Sequence, residues 1–422
     1  MEYLNAYTET IAISLIIIIS YFFNFVSEKS KIPSVLLLIG LGVAFQKLLN
    51  ALGIDLTTYI MEALELLGIV GLIMIVLEAA LDLKLQKDKK PLLIKSFVIA
   101  LVALVGTALG VAYVLHVFIF DDFLKALIYA IPLSILSSAI IIPSVTSLME
   151  KKREFMIYES TFSDILGIMF FYFVIGGAKA ENTGEIVMDV SSSILLTIIL
   201  SLLISYFMVF LLQKLESKVK LFFLIAILIL LYSTGKLFHL SSLLIIMVFG
   251  LVLNNNQLFF RGKLKKFADP EALKHITEDF HVVTMETAFV VRTFFFVIFG
   301  MTLDFSGIGN LPSIYMALAV LAITYVFRFI LLKIIVKRNI TPQLWIAPRG
   351  LITVLLFFSI PAHFMDDRFN PSILLIVILA TSIIMTTGLI AKKEDIEEKD
   401  ELKFDEWKEL DDQVEEMKKA AD

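Results

Sequence analysis

Two carboxylates stand five positions apart in a largely apolar stretch, Glu159 and Asp164 in Tyr158-Glu159-Ser160-Thr161-Phe162-Ser163-Asp164-Ile165-Leu166-Gly167. An acid at mid-membrane depth costs about 2.5–3.5 kcal/mol on insertion scales, so a chain that keeps two so close together uses at least one. A carboxylate held there takes up either a proton or a partly dehydrated monovalent cation, Na⁺ or K⁺, with hydroxyl and carbonyl oxygens completing the shell. Asp164, near the middle of its stretch, is the candidate for that role, and Ser160, Ser163 and Ser138 are the candidate hydroxyls. Glu159, about one turn nearer the segment's end, is the candidate for a fixed ion pair.

Two interruptions accompany the acids. Ser137-Ser138-Ala139-Ile140-Ile141-Ile142-Pro143-Ser144 carries a proline past the middle of an apolar run, and Ala347-Pro348-Arg349-Gly350 breaks another. Proline removes a backbone donor and leaves a carbonyl unpaired. Non-helical backbone is tolerated at membrane depth only where it is buried in protein or lines a cavity. Breaks are thus expected at Pro143, Pro348 and Gly350. Arg349 requires a partner at that depth, and Glu159 is the expected one, leaving Asp164 free to titrate. Arg292, near mid-span, is a possible core cation. Lys95, Arg328 and Lys333 are expected to snorkel to the nearer face. Glu78 is placed at the inner end of its span, in a funnel or at the interface, and His239, His281, Glu286 and His363 near span ends.

These residues need membrane-crossing elements to hold them. The 422 residues are 59% hydrophobic and 18% charged, too apolar for a soluble domain, and apolar stretches long enough to cross a bilayer recur from Ile11 to Ile390. The reading is an all-α polytopic membrane protein of about thirteen spans. The fifth lies near 124–148, the sixth near 155–176 and the twelfth near 342–362. Lys and Arg concentrate in alternate connections, including Lys84 to Lys90, Lys151 to Arg153, Arg261 to Lys274 and Lys337 to Arg338. By the positive-inside rule those loops are cytoplasmic, with the N-terminus outside, the C-terminus inside and the first span retained. Residues 1–392 form the membrane domain, and 393–422 a charged cytoplasmic tail with one apolar helical stripe. Spans one to six and eight to thirteen then form two six-helix units of opposite orientation, interrupted at matching helices 5 and 12, the pattern that marks a transporter's ion site. No phosphate-cradling glycine loop appears, which argues against ATP-driven pumping. The absence of cysteine excludes thiolate sites, and the aromatic content reads as lipid-facing and packing surface rather than a nucleic-acid platform.

At these positions the chain resembles the monovalent cation/proton antiporter superfamily, which contains the sodium/proton exchangers and the glutathione-gated potassium efflux systems. Glu159-Ser160 and Ser163-Asp164 are similar to the Glu-Ser-x-x-Asn-Asp signature of electroneutral exchangers. Pro348-Arg349-Gly350 is similar to a Leu-Arg-Gly segment whose arginine pairs with that glutamate. Leu77 to Lys84 and Phe295 to Asp304 also look like family segments. Ile141-Ile142-Pro143 departs from the usual Thr-Asp-Pro, and Ser138-Ala139-Ile140 looks more like the potassium efflux branch.

The resemblance implies a homodimeric antiporter in the lipid bilayer of the bacterial inner membrane, with no cofactor and no enzymatic reaction. The expected mechanism is competition of a proton and one cation on Asp164, electroneutral because Ser163 is uncharged. Core spans 4–6 and 11–13 are expected to move past dimerisation spans 1–3 and 8–10. The alternatives on the same scaffold are a gated cation channel or uniporter, and a membrane sensor that binds ions without transport.

Overall fold

The computed structural model describes residues 6–30, 33–51, 53, 57–85, 89–146, 148–177, 183–214, 220–237, 242–260, 270–302, 310–337 and 339–391. The polar break at His239, the basic stretch 261–269, Asp304 and the tail 393–422 lie outside these residues. Regular structure among the described residues is helical: α1 Ala6–Ser30, α2 Ser34–Ala51, α3 Thr57–Asp82, α4 Lys90–Phe118, α5 Phe123–Ser134, α6 Ser138–Ser144, α7 Glu150–Gly177 and α8 Thr183–Lys214. There follow α9 Lys220–Leu237, α10 Ser242–Asn254, α11 Asn256–Phe259, α12 Pro270–Thr302, α13 Leu311–Ile335, α14 Leu351–Phe358 and α15 Ser372–Ile390. Eight spans among the described residues are long and apolar enough to cross a membrane, with α5 and α6 together forming one of them. Helices are the solution because each closes its own backbone hydrogen bonds where no water is available.

Local chemistry sets several helix starts. Asp122 caps α5 by accepting the Leu124 N–H at 3.0 Å. Proline occupies the first turn of α4 and of α13, where its missing donor is harmless. On α13, Tyr315, Leu318, Val326, Phe329 and Ile334 are exposed along one stripe, while Ala317, Val320, Thr324 and Arg328 are buried on the other. Its large apolar residues face lipid, and its small and polar ones face protein.

The helices pack in two groups. In one, α12 lies against α2 and α3, α10 lies between α3 and α8, and α9 packs on α10. In the other, α4 packs on α5, α7 and α13, α13 on α15, and α14 on α5 and α7. The α2–α12 crossing depends on two glycines. A Cβ added at Gly42 would stand 2.1 Å from the Val297 carbonyl oxygen, and one at Gly300 2.4 Å from that of Ile39. Such close approach gains the dispersion that holds helices together in lipid, where there is no hydrophobic drive between them.

At the end of the second group remote from Lys151 to Arg153, Phe120, Tyr129, Phe357 and Phe369 pack as an aromatic cluster, mostly in tilted and edge-on pairs. Above them Lys125 meets Asp366 at 2.7 Å, and Arg368 reaches Asp366 at 3.0 Å and Asp121 at 2.9 Å. The bonds from Arg368 and then Lys125 hold the Asp366 carboxyl far below the usual carboxylate range.

Candidate functional site

The fifth span is broken about two helical turns earlier than its sequence suggests. Pro143 lies inside α6, which runs on to Ser144, and the break falls at Ile135–Ser137. The expected break at Pro143 is therefore corrected. Tertiary partners for the backbone donors fix the true position. Leu136 N–H donates to Ser163 Oγ at 3.0 Å, Ser137 N–H to the Pro348 carbonyl at 3.0 Å, and Ser138 N–H to Asp164 Oδ2 at 3.1 Å. Three successive donors of unwound chain thus find acceptors on α7 and on the other broken segment.

That second segment lies where the sequence placed it. Residues 346–350, including Pro348 and Gly350, are non-helical ahead of α14. It crosses the first at contact distance, and a Cβ on Gly350 would stand 2.4 Å from Ser137 Oγ. Glycine is needed there for space rather than for backbone angle.

Asp164 sits beside this crossing and is only 2% exposed. One of its oxygens accepts from Ser138, and the other, Oδ1, is buried with no hydrogen-bond partner. No salt bridge holds it among the described residues. Ser138 and Ser163 are thus brought to the carboxylate's immediate surroundings. Ser160 lies one turn back on the same face of α7, its hydroxyl donating to the Ile157 carbonyl at 3.1 Å.

The expected Glu159–Arg349 pair does not form. Arg328 holds Glu159 instead, Nη1 to Oε1 at 2.7 Å and Nη2 to Oε2 at 3.1 Å, with Arg328 also donating through Nε to the Gln343 carbonyl. Arg328 is 4% exposed, so it does not snorkel as expected, whereas Lys95 and Lys333 are exposed. The reason is geometric: the non-helical run carries the Arg349 side chain toward α13, where Nη2 donates to Thr324 Oγ1 at 3.2 Å. Its Nε and Nη1 remain buried without hydrogen-bond partners.

A cavity of about 470 Å³ leads toward the crossing between the two groups. Its lining includes Ser138, Ala139 and Pro143 of α6, Glu78 and Asp82 of α3, and His281 and Arg292 of α12. Pro143 cannot donate to the Ala139 carbonyl, so α6 offers that oxygen no helical partner. Two pairs line the walls, Arg292 to Glu78 at 2.8 Å and His281 to Asp82 at 2.7 Å. Arg292 therefore neutralises a funnel carboxylate, and Glu78 and His281 stand on the funnel wall. Ser34, Ser144 and Thr146 of the lining adjoin the basic connections, which identifies the open end.

A family model described as "Sodium/hydrogen exchanger, transmembrane" matches residues 11–392. The sodium proton antiporter MjNhaP1 from Methanocaldococcus jannaschii, solved at pH 8, superposes with a TM-score of 0.65 at 19% identity, over 91% of this chain and 95% of that one. An electron-microscopy structure of the same antiporter gives 0.64 at 17% identity, covering 93% and 96%. No curated protein matches the chain. At these identities the superpositions establish the fold.

Proposed function

The chain belongs to the sodium/hydrogen exchanger family, and from that premise we propose that Asp164 is the carboxylate on which a cation and a proton compete. Family membership makes the protein an integral membrane cation/proton antiporter, a secondary transporter and not an enzyme. The observation carrying the assignment is the buried, unpartnered Oδ1 of Asp164 at the crossing of two non-helical segments.

Loss of the proton leaves an anion that water cannot reach from most directions. A partly dehydrated Na⁺ replaces the proton at Oδ1, with Ser138, Ser160, Ser163 and carbonyls of the broken segments completing its shell. The fixed charges nearby are already committed, Glu159 to Arg328 and Glu78 to Arg292. One carboxylate therefore carries one proton or one cation, and exchange is electroneutral. K⁺ is the second candidate substrate.

The packing of α4–α7 and α13–α15 as one group supports their moving as a core past α1–α3, α9, α10 and α12 in a homodimer. Thirteen spans, with the N-terminus outside and the tail in the cytoplasm of a bacterial inner membrane, keep the basic loops on one face and open the cavity to the cytoplasm.

The test is proton flux in liposomes on addition of Na⁺, K⁺ or Li⁺, with the membrane potential clamped or free. Coupled flux with at least one cation, insensitive to potential and absent in Asp164→Asn, is the expected result. Exchange surviving in Asp164→Asn overturns the assignment.

A further inference from the structure

Asn255 is 8% exposed and stands at the N-cap of the short helix α11, where asparagine ordinarily accepts from a backbone N–H of its own helix. Here no such cap bond forms. The amide reaches 170 residues back in the chain, Oδ1 accepting the Leu85 N–H at 2.7 Å and Nδ2 donating to the Leu83 carbonyl at 2.8 Å. Asn254 adds a bond to that same carbonyl at 3.3 Å. A side-chain amide thus copies the paired bonding of a neighbouring peptide and fastens residues 83 and 85 to the end of α10.

Residues 83–85 are the first to leave α3 on the way to α4, so the chain passes there from one helix group to the other. Asn255 takes the Leu83 carbonyl and the Leu85 N–H. The carbonyl between them, that of Lys84, accepts from Tyr158 Oη at 3.4 Å. Tyr158 belongs to α7, in the other group, and directly precedes Glu159. The segment is therefore gripped on one edge by α10 and touched on the other by α7.

We propose that Asn255 is a positioning residue that makes residues 83–85 the stationary anchor of the transport movement, while the Tyr158–Lys84 contact belongs to the funnel-open state and is given up when the core moves. The inference rests on the reading above, in which the two helix groups move past each other. The anchor also fixes the end of α3, whose last turns carry Glu78 and Asp82 on the funnel wall. A loosened anchor slows the movement but leaves the ion site itself unaltered.

The chain has no cysteine, so paired thiols report cleanly. In the full-length protein in liposomes, Leu85→Cys with Asn255→Cys and, separately, Lys84→Cys with Tyr158→Cys are joined by a reducible bifunctional thiosulfonate. The expected result is exchange within twofold of the uncross-linked pair for 85–255, and at least a tenfold loss, reversed by reduction, for 84–158. Block by both, or by 85–255 alone, overturns the anchor. Free exchange through both overturns the underlying movement, and the anchor with it. Asn255→Ala gives a second measure, with a several-fold lower maximal rate at an unchanged apparent KM for the cation. An unchanged maximal rate, or a change in KM alone, counts against the proposal.

Discussion

Arg328 grips Glu159 through two parallel hydrogen bonds, with both side chains buried between α13 and α7. The two helices meet through this charge pair at a depth where neither partner has water to fall back on. Removing one member of a buried pair leaves the other charge uncompensated, at a cost of about 3–5 kcal/mol. Glu159→Ala and Arg328→Ala are each expected to lower the thermal unfolding midpoint in detergent sharply. Glu159→Leu with Arg328→Met is expected to recover most of that loss. A double variant as unstable as the sum of its singles contradicts the argument, because it would mean the two residues act independently.

The crossing of the broken segments leaves no room for a methyl group at Gly350, since the nearest atoms of Ser137 and Ile140 would lie at 2.4 and 2.9 Å. Gly350→Ala must push the segments apart and carry the Ser138 N–H away from Asp164. At least a tenfold fall in the cation/proton exchange rate is expected in liposomes, with the protein still folded. Adding Ser137→Gly removes two of the clashing atoms and is expected to restore part of the rate. Normal exchange by Gly350→Ala alone would show that the close crossing is not required.

At the opposite end of the core, Asp366 is held ionised by Arg368 and Lys125, its carboxyl pushed well below its ordinary range. The sign follows from linkage: a depressed folded-state value adds stability above the unfolded value, about 3.9, and that stability is lost as pH falls from there through the folded value. Asp366→Asn is expected to be less stable than the native chain at pH 7, with the gap unchanged down to about pH 5 and closing below pH 4. Molar salt should shrink the gap, because Arg368 is half-exposed. A gap that widens in acid would reverse the assignment. Thermal melts across that pH series decide it.

How much of this was legible in the sequence depends on whether a residue's partner is local or distant. The burial of Asp164, the breaks at Pro348 and Gly350, and the helical class follow from residue type and hydropathy, because an acid or an unwound segment in lipid has few permitted places. The partner of Glu159 was missed because the sequence pairs the most conspicuous charges, and Arg349 beside Pro348 is more conspicuous than Arg328 in a smooth apolar helix. Depth counting offered a signal. Glu159 lies roughly 13 Å into α7 from Glu150, and Arg328 roughly 10 Å from the end of α13 at Ile335, at 1.5 Å per residue. The break at Ile135–Ser137 was misplaced for a different reason. Pro143 is a local signal, whereas the break is set by acceptors on α7 and at Pro348 that no local reading supplies.

The cavity opens beside the basic connections, while the aromatic cluster of Phe120, Tyr129, Phe357 and Phe369 packs the far end of the core. Ala79 on α3 and Ile142 on α6 line the cavity from opposite groups and bear no assigned role in ion binding. With no native thiol to interfere, Ala79→Cys and Ile142→Cys each report access from one face. In oriented vesicles a membrane-impermeant thiol reagent is expected to label both at least tenfold faster from the face of the basic loops than from the other. A continuous pore would give comparable labelling from the two faces, together with current uncoupled from proton movement. That result would replace the exchanger with a channel on the same scaffold. One-sided labelling that reverses when the core is trapped in its other position is what a carboxylate shared between two ions requires, because both faces must reach Asp164 in turn and never together.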